Sequence, residues 1–125
     1  MSWAAYITSM KSSSTLSEAC IAGLDGNVWA KSDGINPSPQ ELQTIIQAFN
    51  NADILRQNGV HLGGQKYFFL QSDDSQIQAK KATSGVSIAK ANTCILIGLY
   101  KDGQVPGNCR KTVDAMRDYL VQNKY

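Results

Sequence analysis

The sequence is poor in the residues that most catalytic and metal sites need. His61 is the only histidine among 125 residues, and the three cysteines, Cys20, Cys94 and Cys109, show no CxxC spacing. An odd number of thiols without that spacing indicates neither a disulfide framework nor a zinc site, so reduced thiols and no metal are expected. No GxSxG, GxxxxGK[ST] or HExxH pattern occurs, nor a GxGxxG after a strand-like run, which removes the chemistries those patterns serve. A hydroxyl or thiol nucleophile would have one imidazole as its base, and that imidazole sits in the apolar Val60-His61-Leu62 segment, where a structural or surface role is expected. Cys109, beside Arg110 and Lys111 at a helix start, is the only cysteine placed for activation, with helix packing as the competing reading; Cys94, in an apolar strand, should be inert. Asp73-Asp74 reads as a turn former rather than a pair of catalytic carboxylates. A non-enzymatic protein without a cofactor is the expectation.

Long apolar runs are also missing. None approaches the roughly 20 residues a membrane helix needs, and Met1-Ser2-Trp3 lacks the basic and apolar regions of a signal peptide, so a cytosolic protein is expected. Charge of one sign is scarce, with 12 basic and 10 acidic side chains. The isoelectric point of 8.4 falls short of the value above about 9 that marks nucleic-acid binders. The charges are unevenly spread: residues 1–55 carry two basic against five acidic groups, a net of −3, and residues 56–125 carry +5. One basic face, suited to an acidic protein or to lipid headgroups, follows. At 42% hydrophobic and 18% charged residues, residues 1–125 read as a single domain with one core.

What is present is a series of strand-like runs bracketed by helices. Trp3, Tyr6, Ile7 and Met10 recur at helical spacing behind Ser2, a candidate N-cap. Asp25-Gly26 separates Glu18–Leu24 from Asn27–Ser32 and supplies the backbone angles of a hairpin turn. Ser38-Pro39-Gln40-Glu41 combines an N-cap, proline at the first helical position and a glutamate able to close a capping box, ahead of the Leu42, Ile45, Ile46 and Phe49 stripe. Further strands are expected at Val60–Leu62, Gln65–Gln71, Gln76–Lys80, Val86–Lys90 and Thr93–Tyr100. The unbroken apolar run from Cys94 to Tyr100 predicts a central strand covered on both faces. After Pro106-Gly107 a last helix follows, with Asn108 as candidate cap and Cys109, Val113, Met116 and Leu120 as its buried stripe. The result is an α+β fold: about seven antiparallel strands and three main helices, the N- and C-terminal helices together on one face and the internal helix on the other.

The placement of aromatics is the unusual feature. Trp3 and Tyr6 near one end, Tyr119 and Tyr125 near the other, and Trp29 on an early strand would meet if the terminal helices packed side by side. Each can equally be ordinary core; a recognition role requires Trp3 and Tyr6 to be partly exposed. Parallel rings of this kind form grooves for the polyproline II helix.

Ser2-Trp3-Ala4-Ala5-Tyr6-Ile7, Leu62-Gly63-Gly64-Gln65-Lys66 and Asp118-Tyr119-Leu120, in this order, make essentially the whole chain resemble the profilin family. Gly23-Leu24-Asp25-Gly26-Asn27-Val28-Trp29-Ala30 and Phe49-Asn50-Asn51-Ala52 look like the shorter profilins of plants and amoeboid organisms. The resemblance implies a central antiparallel sheet between helix pairs and three kinds of partner: monomeric actin in a one-to-one complex, proline-rich proteins such as formins, and phosphoinositides. A monomeric protein of the cytoplasm, cytoskeleton and cell cortex is implied, with no nucleic-acid partner. By position, the polyproline groove would comprise Trp3, Tyr6, Trp29, Tyr119, Leu120 and Tyr125. The actin face would comprise Lys66, Gln71, Lys81, Val105, Gly107, Asn108, Arg110, Lys111 and Asp114, and phosphoinositides would meet Lys66, Lys80, Lys81, Arg110 and Lys111. Tyr119 stands where vertebrate relatives have His, Gln71 where many relatives have Arg, and Asp114 where vertebrate relatives have Tyr.

Overall fold

The computed structural model describes residues 2–125. Its elements run α1 (Trp3–Ser12), β1 (Glu18–Gly23), β2 (Val28–Lys31), α2 (Pro39–Ala48), α3 (Asp53–Asn58), β3 (Val60–Leu62), β4 (Gln65–Ser72), β5 (Gln76–Lys81), β6 (Ser84–Lys90), β7 (Cys94–Tyr100) and α4 (Pro106–Gln122). All seven strands form one antiparallel sheet in the order β2-β1-β7-β6-β5-β4-β3. The apolar Cys94–Tyr100 run is an interior strand, paired with β1 on one side and β6 on the other. Among the described residues no helix is long and apolar enough to cross a membrane.

Strand alternation sends side chains into two separate cores, one on each face of the sheet. Cys20, Ala22, Ile77, Val86, Ile88, Ile95 and Ile97 pack with Leu42, Ile45 and Phe49 at α2 and Leu55 of α3. Ala19, Ile21, Ala89, Cys94 and Leu96 pack on the opposite face with Tyr6, Ile7 and Met10 of α1 and Cys109, Val113 and Leu120 of α4. The terminal helices therefore share one face, as expected, and α2 takes the other with α3.

Four helices are present among the described residues, against the three main ones expected. The additional one, α3, spans only six residues, has no side-chain cap and buries Leu55 alone, so no stripe marks it in the sequence. The start of α4 also differs from expectation: Val105 is the N-cap, without a side-chain bond, and Pro106 opens the helix. Asn108 lies in the first turn, its carbonyl accepting from the Thr112 hydroxyl at 3.1 Å.

Local signals elsewhere act as read. The Ser2 hydroxyl accepts from the Ala5 amide, and Asp73 accepts from the Ser75 and Gln76 amides at the β4–β5 turn. At α2 the capping box is complete, and the Glu41 carboxylate reaches further, accepting from the Ser38, Gly63 and Gly64 amides at 2.8, 2.9 and 3.1 Å. One side chain thus ties the helix start to the β3–β4 turn, where both glycines have positive φ. Burial raises the proton affinity of Glu41, but the bonds from Ser38, Gly64 and Gly63 outweigh it and hold the carboxyl below its usual range. A carboxyl whose folded-state pKa is depressed stabilises the fold above its unfolded pKa, and loses that contribution as pH falls through the folded value. Glu41→Ala should therefore lower stability at pH 7 by about 1–2 kcal/mol. The deficit should shrink as pH falls below the ordinary glutamate range and vanish only below the depressed folded-state value, where both proteins lack the carboxylate. Urea denaturation of both proteins across pH 3–7 checks this, the range being about that of carboxylate titration.

Candidate functional site

The five aromatic residues singled out from the sequence converge where the chain ends meet. On one face of the sheet α1 packs on β1 and β2, and α4 lies beside it on β6 and β7. Trp3 is the hub: its ring centroid lies 4.7 Å from Trp29, 4.8 Å from Tyr125 and 5.4 Å from Tyr6. Tyr119 completes the row at 5.8 Å from Tyr6, and Trp29 and Tyr125 are 6.4 Å apart. Most contacts are edge-to-face, the arrangement favoured by ring quadrupoles.

These rings are not equally available. Tyr119 and Tyr125 are 45% and 40% exposed, and Trp3 and Trp29 are partly buried. Tyr6 keeps only 8% of its surface exposed, so it forms the floor more than the wall. Burial first, and then the neighbouring Tyr119 hydroxyl, raise the Tyr6 phenol above its ordinary pKa. Leu120, grouped with the rings by resemblance, is completely buried. It belongs to the core beneath α4 and presents no side-chain surface to a ligand.

The backbone brings Tyr125 back to the cluster. α4 ends with Lys124 in the left-handed region at φ 70°, and the Tyr125 amide returns to the Leu120 carbonyl at 2.8 Å while the Lys124 amide reaches Val121 at 3.0 Å. This Schellman closure reverses the chain direction. Next to the rings, α1 and α4 leave an open, largely apolar groove lined by Tyr6, Met10, Met116 and Tyr119 among others.

The second surface lies on β4, β5 and α4. Tyr67, Phe69, Ile77 and Ala79 point into the α2–α3 core, so Lys66, Phe68 and Lys80 face the side on which α4 packs, Phe68 being directly paired with Lys80. A bulge between Phe69 and Gln71 shifts the register by one residue and brings Gln71, paired with Gln78, onto that same side. Arg110 and Asp114 of α4 approach the β4–β5 turn around a hollow of about 180 Å³ that also touches Asp73 and Gln76. Their ion pair is 3.6 Å long. Burial nevertheless holds the Asp114 carboxyl above its usual pKa, against the pull of Arg110. Val105, Gly107, Asn108 and Lys111 are exposed around the start of α4.

Two features of this face were not legible beforehand. Lys80 and Lys81, adjacent in sequence, point to opposite sides of β5; Lys81 bonds through its ammonium to the Gln65 side chain and does not share the Lys80 side. Phe68, 64% exposed beneath the Lys66 ammonium at 5.6 Å from its ring centroid, adds an apolar contact that charge counting passed over. Its sequence signal was an aromatic on the outward parity of a half-buried strand.

The thiol alternative fails on geometry. Cys109 is completely buried, with its Sγ 3.6 Å from the Gly98 carbonyl, and burial pushes its pKa up to about 12. Burial likewise raises Cys20 to about 12 and Cys94 to about 11. His61 is exposed, its Nε2 lying 2.9 Å from the Asn58 carbonyl, away from every thiol. Among the described residues no cluster of three His, Cys, Asp or Glu side chains could hold a metal.

An antiparallel sheet between two helix pairs, with a ring-lined surface at its joined ends and buried thiols, defines a recognition module rather than a catalyst. The chain matches the profilin family model over residues 1–125 and belongs to that family, whose members are non-enzymatic, actin-binding proteins of the cytoskeleton. It is 40% identical over 122 residues to profilin-1A of Acanthamoeba castellanii, with 97% of each chain covered. Identity to the profilin of Branchiostoma belcheri is 37% over 124 residues, with 98% of each covered. The solved structure of Acanthamoeba castellanii profilin IB superposes with a TM-score of 0.95 at 38% identity, covering 99% of this chain and 100% of that one. Mouse profilin IIa, solved in complex with a double repeat from the FH1 domain of mDia1, shares the fold at a TM-score of 0.85 and 21% identity, with both chains fully covered.

Proposed function

We propose that this chain binds monomeric actin one to one and docks proline-rich segments, formins among them, so that actin is delivered to sites of filament assembly. The observation that carries the second half is the five-ring cluster: edge-to-face rings with a buried floor and exposed rims suit a polyproline II helix, which is already rigid and loses little entropy on binding. The FH1-bound relative supports this reading. Trp3, Tyr6, Trp29, Tyr119 and Tyr125 would make the contacts.

Actin would meet the α4 side of β4 and β5 together with the first turns of α4. Lys66, Gln71, Arg110, Lys111 and Asp114, with Val105, Gly107 and Asn108 at the rim, supply a mixed surface, and the positive balance of residues 56–125 suits an acidic partner. Lys81, on the opposite side of β5 and bonded to the Gln65 side chain, is left out of this surface. Of the cations on this face, Lys66, Lys80, Arg110 and Lys111 would attract phosphoinositide headgroups at about 1 kcal/mol each, in competition with actin and weakened by salt. The whole chain acts as one monomeric domain in the cytoplasm and at the cell cortex, and holding actin beside a tethered proline-rich segment raises its local concentration.

Both tryptophans of the chain lie in the cluster, so intrinsic emission reports its occupancy. Titration with an oligoproline should give a saturable change, and actin pelleting in the presence of the protein should fall. No emission change at about millimolar peptide, a concentration corresponding to roughly 4 kcal/mol of binding, would overturn the aromatic half. Unchanged pelleting would overturn the other.

A further inference from the structure

The ring surface contains one member that no helix or strand holds in place. Tyr125 lies beyond α4, reached through a non-glycine residue in the left-handed region, Lys124, a conformation disfavoured for residues that carry a Cβ. Its position is secured from across the sheet. In the β6–β7 turn, the Thr93 amide donates to the Tyr125 main-chain oxygen at 2.5 Å and the Thr93 hydroxyl donates to the same oxygen at 2.7 Å. The Thr93 carbonyl in turn accepts from the Leu24 amide at 3.2 Å, joining the β1–β2 hairpin to the same point. That hairpin carries Trp29, whose ring lies over Gly23: a Cβ at residue 23 would fall 2.8 Å from the indole Nε1.

From these contacts we infer that Thr93 is a positioning residue of the aromatic surface, a latch that fixes Tyr125 and, through Leu24, keeps it in register with Trp29. The inference rests on the proline-recognition reading for its consequence, but the latch itself does not. A ring held by two bonds to one oxygen keeps its rim geometry before a ligand arrives, and preorganisation of this kind lowers the ordering cost of binding. Thr93 is exposed and fills no core space, so the near-isosteric Thr93→Val removes the hydroxyl bond without opening a cavity.

The Tyr125 ring lies 4.8 Å from the Trp3 ring and 6.4 Å from the Trp29 ring between centroids, within the ring-current fields of both, so the NMR shifts of its ring protons read the latch with no ligand present. Thr93→Val should move them towards those of a free tyrosine and weaken oligoproline binding about fivefold, as the loss of one hydrogen bond implies. Thr93→Ser should restore both. In a Tyr125→Ala background, Thr93→Val should add no further loss, because its effect acts through that ring. Unchanged Tyr125 shifts in Thr93→Val, or a full additive loss in the double variant, would overturn the latch. If the parent protein shows no oligoproline binding, the recognition reading fails while the ring shifts still decide whether Thr93 holds Tyr125.

Discussion

Trp3→Ala is expected to weaken oligoproline binding by about thirtyfold, corresponding to about 2 kcal/mol, and to leave actin binding within about twofold, a change of less than about 0.5 kcal/mol. Trp3 touches three of the other four rings, so truncation removes its own contact area and also the edge against which Trp29 and Tyr125 are set. The cost to folding should be smaller, because Trp3 is only partly buried at the first position of α1 and its neighbours Ile7 and Met10 keep their places in the core. The basic face lies on β4, β5 and the start of α4, away from this cluster. Calorimetric titration with oligoproline measures the loss without relying on tryptophan emission, and actin pelleting serves as the internal control. Affinity preserved within about threefold, under about 0.7 kcal/mol, would mean that the rings are core alone.

The parts of this architecture that were legible in advance are those set by local chemistry. Ser38, Pro39 and Glu41 announce α2 because each satisfies or removes an orphan amide at the helix start. Cys94–Tyr100 announces an interior strand because apolar residues at both parities need cover on both faces. The ring cluster was legible as a set of residues at the two chain ends and on an early strand. What stayed hidden depends on partners distant in sequence. The burial of most of Tyr6 follows from how closely α1 and α4 approach, whereas the apolar stripe of α4 already placed Leu120 in the core, against the groove position that the resemblance implied. The side on which Gln71 lies depends on the bulge after Phe69, and no glycine or proline marks that bulge. The reach of Glu41 to Gly63 and Gly64 spans more than twenty residues, so a capping box could be foreseen and its second role could not.

The same dependence on distant partners explains Gly98, whose replacement should have a large effect on stability. Gly98 is directly paired with Ala19 of β1 and Ser87 of β6, so three small residues lie in a row across adjacent strands beneath α4. A Cβ at residue 98 would fall 2.6 Å from Val113 Cγ2, 3.0 Å from Leu16 Cδ2 and 3.3 Å from Cys109 Sγ. These neighbours are all completely or nearly completely buried, so none can swing into solvent to make room. Glycine ordinarily weakens a strand interior; here the missing side chain is the space α4 occupies. Gly98→Val should destabilise the protein by about 3 kcal/mol, a large share of the 5–15 kcal/mol typical of a domain, seen as a lower urea midpoint. Adding Val113→Ala should recover part of the loss, since the two changes contest one volume. α4 also carries Tyr119 and leads into Tyr125, so a helix lifted off the sheet should bind oligoproline less tightly even where the protein remains folded. A urea midpoint unchanged in Gly98→Val would mean that α4 does not rest in this trough, and with it would go the argument that close helix–sheet packing sets the spacing of the rings.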